Sequence, residues 1–72
     1  MSTAIRIREA REAAGLSRVD LAARSGVGAR TIEAYEQGRA EPTVRRAQKI
    51  AAALGLSLDR LLGAETTSDE AA

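Results

Sequence analysis

The chain has 72 residues, with 11 basic and 10 acidic side chains for a net charge of +1, and neither cysteine nor histidine. Such a length allows one small domain, and the missing residue types exclude disulfides, thiolate chemistry, the usual zinc ligands and His-dependent catalytic triads. With one Tyr and no Phe or Trp the core must be aliphatic and rich in alanine, so at roughly 25 cal/mol per Å² of buried apolar surface only modest stability is expected.

No apolar run approaches the roughly 20 residues of a membrane span, and the opening MSTAIRIRE lacks the hydrophobic region of a signal peptide. A cytoplasmic protein with no membrane partner is expected. The charge is unevenly spread. Residues 1–63 hold all 11 basic side chains and seven acidic ones, a net +4, whereas the tail from Ala64 carries Glu65, Asp69 and Glu70, a net −3. A basic domain beside an acidic tail is compatible with nucleic-acid binding.

The pattern IRIREAREAA predicts a first helix over about residues 3–14, capped by Ser2 or Thr3 and closed by Gly15, with Ile7, Ala10 and Ala14 on one stripe. Ser17 with Asp20 three positions on has capping-box spacing and opens a second helix that stops near Ser25. Gly26 suits a left-handed C′ position, and Val27 is an apolar plug between two segments. A third helix runs from Gly28 or Ala29 to Gln37, with Ile32 and Tyr35 facing inward and Gly38 as its stop. So short a connection forces the second and third helices to cross steeply, the helix-turn-helix geometry.

Pro42 disfavours a helical Glu41, so residues 39–43 form a loop. Thr43 caps a fourth helix over residues 44–54, whose Val44, Ala47, Ile50, Ala51 and Leu54 follow the spacing of a buried stripe. Gly55 ends it, Leu56 plugs the junction, and Ser57 caps a short fifth helix over residues 58–62. No stretch alternates with period two, so no strand is expected. The predicted fold is all-α: five short helices in a compact bundle over residues 1–63, with 64–72 a disordered acidic tail. The core is expected from Ile7, Ala10, Leu16, Leu21, Ala22, Val27, Ile32, Tyr35, Val44, Ala47, Ile50, Ala51, Leu54, Leu56 and Leu61.

Leu16-Ser17, Leu21-Ala22, Gly26-Val27, Thr31-Ile32, Glu36, Gly38 and Pro42 together resemble, in register and without gaps, the phage repressor and Cro family of helix-turn-helix regulators, and the likeness continues to Leu62. That family binds DNA as dimers with the second helix of the motif in the major groove. The resemblance implies a lambda-repressor-like fold, a transcriptional regulator of a palindromic operator, double-stranded DNA and a second copy as partners, and no cofactor or metal. Its base-reading positions fall on Ala29, Arg30 and Ala34, where Arg30 could bind guanine through two hydrogen bonds and the alanines offer only methyl contacts. Phosphate contacts fall on Ser17, Arg18, Thr31, Arg39 and Arg46, with Arg45 and Lys49 on the same surface; the family's usual glutamine is Arg18 here. A structural ion pair between Arg11 and Glu36 is implied, and Leu58 and Leu62 lie where the family often places a dimer contact.

Each of these residues has a plainer reading as a solvated charge or a scattered surface apolar. Glu33 is awkward on a groove-facing helix, and is expected to lie to the side and orient Arg30. No enzyme is indicated: Glu9 and Glu12 share an exposed turn, and GVG at 26–28 lacks the Lys and Ser/Thr of a phosphate-binding loop. The near-neutral charge, the two alanines and Glu33 leave one competing function, a helix-turn-helix scaffold used as a protein-protein interaction module, of anti-activator or antitoxin-like kind.

Overall fold

A computed structural model describes residues 2–63. The expected acidic tail therefore lies outside the described residues. Five α-helices follow one another: α1 (Thr3–Ala13), α2 (Arg18–Ser25), α3 (Ala29–Glu36), α4 (Val44–Ala53) and α5 (Leu58–Leu62). No strand occurs among the described residues, and the fold is the all-α arrangement expected.

Short polar side chains start four of these helices. Ser2, Ser17, Thr43 and Ser57 sit in extended conformation and accept from the amides of Ile5, Asp20, Arg46 and Arg60, each satisfying one donor that the first turn leaves over. At α2 the box is reciprocal, because Asp20 Oδ2 also accepts from the Ser17 N–H at 3.0 Å. The Ser17 N–H bond leads the causes that hold the Asp20 carboxyl below its ordinary range, followed by the Ser17 hydroxyl.

The helix ends fall one residue short of the predicted boundary at α1, α3 and α4. Ala14, Gln37 and Leu54 serve instead as C-caps, and paired backbone bonds then turn the chain: Leu16 N–H to Arg11 C=O, Arg39 N–H to Ala34 C=O and Leu56 N–H to Ala51 C=O. These are Schellman closures, each with a left-handed glycine just past the cap.

The core collects Ile7, Leu21, Val27, Ile32, Tyr35, Ile50, Ala51 and Leu61, with Ala10, Leu16, Ala22, Leu54, Leu56 and Leu62 partly buried against it; Ala47 is buried too. Helix α1 packs on α3 and α5, α2 on α3 and α4, and α4 on α5. Each half of the motif is thus held by a helix outside it, α3 by α1 and α2 by α4.

Val44 corrects the predicted core, since it is 66% exposed. It fits the stripe by spacing but occupies the first residue of α4. Side chains lean toward a helix's N-terminus, so at that position the stripe overhangs the end of the packed surface.

Candidate nucleic-acid interface

The junction of α2 and α3 forms the candidate site. Gly26 caps α2 at φ 77°, and a Cβ placed there would meet nothing within 4 Å. The left-handed backbone, not crowding, is what calls for glycine. Val27, buried beyond it, anchors the turn in the core. Helix α3 then begins at Gly28 without a side-chain cap, so its first amide protons have no protein partner of the kind that α2 enjoys.

Three charged side chains lock α1, α2 and α3 together. Arg11 Nε donates to Glu36 Oε2 at 2.7 Å, its Nη2 donates to Oε1 at 3.2 Å, and its Nη1 donates to the Leu16 carbonyl at 2.8 Å. Arg18 Nε donates to Glu36 Oε1 at 3.0 Å. The Glu36 side chain is 1% exposed, that of Arg11 11% and that of Arg18 39%. Burial alone would push the Glu36 carboxyl up, but the bonds from Arg11 and Arg18 outweigh it and hold the group below its ordinary range. The Glu36 bond raises the Arg11 guanidinium against the opposing effect of its own burial.

Around this lock, Arg30 is exposed on α3, with Ala29, Thr31 and Ala34 half-buried beside it. Arg39 is exposed just past the end of α3, and Arg45, Arg46 and Lys49 are exposed on α4. Ser17 stands at the entrance to α2, where its oxygen accepts the Asp20 amide at 3.0 Å and its hydroxyl proton remains a donor.

The profile of the family described as Helix-turn-helix matches residues 7–61. The chain belongs to that family. It is also 49% identical, over 49 residues covering 68% of this chain and 71% of the relative, to a protein of Methanothermobacter thermautotrophicus named as an uncharacterized HTH-type transcriptional regulator. No solved structure matches.

In this helix-turn-helix protein several neighbours differ from the sequence reading. Glu33 does not orient Arg30: it accepts from Gln37 Nε2 at 3.5 Å, one turn further along α3, and Arg30 makes no ion pair among the described residues. An acidic residue placed N-terminal to its partner at i, i+4 is the better-oriented arrangement, and Arg30 stands on the wrong side of Glu33 for it. Gln37 in turn accepts from Arg39 Nε at 2.8 Å. This Glu33–Gln37–Arg39 chain is not legible in the sequence, because its members bond along a helix end whose exact stop decides their reach.

The Arg18 bond to Glu36 is likewise absent from the sequence reading. The two lie 18 positions apart on different helices, and only the close approach of the start of α2 to the end of α3 brings them together. Of the two leucines at the expected dimer contact, Leu62 packs partly against the core and Leu58 is half-buried.

Proposed function

We propose that this chain is a sequence-specific, DNA-binding transcriptional regulator that acts as a homodimer on a palindromic operator, with α3 in the major groove. One observation carries the reading: a locked α2–turn–α3 unit, in a chain of the helix-turn-helix family, presents exposed Arg30 from α3 with no ion-pair partner among the described residues. A guanidinium so placed can bond guanine O6 and N7 together, and Ala29 and Ala34 can contact thymine methyl groups. Ser17, Arg18, Thr31, Arg39 and Arg46 surround it as phosphate contacts, which set the register on the duplex without reading sequence. Basic residues clustered about the motif supply the electrostatic footprint that the net charge of +1 conceals.

Leu58 and Leu62 on α5 are the proposed dimer contact. One motif neutralises few phosphates, and two-fold symmetry doubles the contact set while setting the half-sites about one DNA turn, ~34 Å, apart.

The test is a mobility-shift titration of mixed genomic fragments at low salt, repeated with competitor duplex. Selective retention of some fragments under competition supports the reading. Uniform loss of binding under competition contradicts sequence specificity. The competing reading, a scaffold that binds another protein, is favoured by half-buried Glu33 and by the two methyl-only reader positions; it predicts no fragment binding at all.

A further inference from the structure

The three-residue lock contains more positive charge than it needs. Arg11 already engages both oxygens of Glu36 and directs its remaining nitrogen to the Leu16 carbonyl. All three of its nitrogens are committed and its side chain is 11% exposed. Arg18 adds a second guanidinium to the same buried carboxylate, through Nε alone. Glu12 also reaches Arg11 Nη2, at 4.0 Å, but it is half-exposed and bonded to Arg8 at 3.2 Å. Two guanidiniums therefore still share the one buried carboxylate, and the outer member, Arg18, is the less committed of them. Both Nη atoms of Arg18 are without a protein partner among the described residues.

We propose that Arg18 is a forked phosphate clamp aimed by Glu36, so that the carboxylate at the end of α3 is a positioning residue for a DNA backbone contact made from the start of α2. The proposal rests on the DNA-binding reading above. A guanidinium has five N–H donors in one plane; pinning Nε leaves the four Nη donors, of which two, one from each Nη, share the edge that matches two oxygens of a phosphate. The pin also orients a side chain that would otherwise sample many rotamers, so less freedom is lost when the anion arrives.

The surroundings suit an anion. Arg18 and Val19 are the first two residues of α2, and their amides have no intrahelical acceptor. The nearby carboxylate, Asp20, is turned back onto the Ser17 N–H. Because the pin runs from α2 to the last turn of α3, the clamp ties the backbone contact to the placement of the recognition helix.

The experiment uses the full chain, its best-retained genomic fragment and a scrambled duplex, with circular dichroism confirming that each variant is folded. Arg18→Lys keeps the charge and loses the fork. It is expected to weaken both duplexes by on the order of tenfold, close to Arg18→Ala. The slope of log affinity against log salt should fall by about one for each phosphate left unneutralised in Arg18→Ala, and stay near wild type in Arg18→Lys. Glu36→Gln is expected to weaken binding in the wild-type background and to add little in the Arg18→Ala background.

An Arg18→Lys variant that binds as wild type overturns the clamp. So does a Glu36→Gln penalty of equal size in both backgrounds, which marks Glu36 as purely structural. Should Glu36→Gln fail to fold, the comparison of lysine with alanine at position 18 decides alone. A wild-type chain that retains neither duplex overturns the DNA-binding reading itself, and is thereby told apart from failure of the clamp alone.

Discussion

Glu36 is the residue on which the interior depends most, because its carboxylate is buried and bonded from two other helices. Removing Arg11 leaves that charge with a single, outer partner. Arg11→Ala is expected to lower unfolding free energy by about 3–5 kcal/mol in urea titrations. Replacing Arg11 and Glu36 together with Met and Leu should cost far less, since no charge is then stranded in the core. A double-variant cost equal to the sum of the two single-variant costs would show that the pair is not coupled. The same group sets an acid limit. Its carboxyl is held below the ordinary range in the folded chain, so the folded state binds this proton less readily than the unfolded one. The stabilisation is full above the ordinary carboxylate range and is lost as pH falls through that range and past the folded value. Asp20 is shifted the same way. Urea midpoints between neutral and acid pH should therefore drop, and Glu36→Gln should flatten part of that drop.

At the scale of the elements, the turn between α2 and α3 separates backbone effects from packing effects. Gly26 has a left-handed φ of 77° and open space where a Cβ would go. Gly26→Ala is expected to cost about 1–2 kcal/mol, with the native α2–α3 crossing retained. A thermal melt reads the loss, and a cost near zero would mean that the turn relaxes to a right-handed form. On α3 the exposed Arg30 and the Arg39 beyond its end should behave differently. Arg30→Ala should lose about 1–3 kcal/mol on the best site and flatten preference at one base pair of each half-site. Arg39→Ala should weaken all duplexes alike and reduce the salt slope. Uniform weakening by Arg30→Ala would instead assign that side chain to a phosphate.

For the molecule as a whole, the prediction concerns assembly. A dimer built through α5 should sediment as two chains at concentrations where Leu58→Asp sediments as one. Leu58 is the cleaner probe, because Leu62 also packs against the core and its replacement would perturb the fold. A wild-type chain that remains monomeric both free and on operator DNA would refute the two-fold arrangement. Operator fragments recovered by selection should carry half-sites centred about one helical turn apart, and a single unrepeated half-site would contradict it.

The order, type and number of the helices were legible in the sequence because their signals are local. Ser17 with Asp20 closes a capping box within three residues, Gly26 needs only its own backbone freedom, and the stripe of Ala47, Ile50, Ala51 and Leu54 is a property of one helix. The placement of Arg11 beside Glu36 was suggested by family likeness, since nothing local to either residue demands the other. What the tertiary structure alone decided are relations between segments that approach in space. Val44 obeys the stripe and yet stands at its overhanging end, and Arg18 joins Glu36 across 18 positions. Burial and ion pairing depend on which surfaces meet and at what angle. A periodic pattern specifies which face of a helix turns inward, but not where the neighbouring helix ends or which long side chain reaches a buried carboxylate.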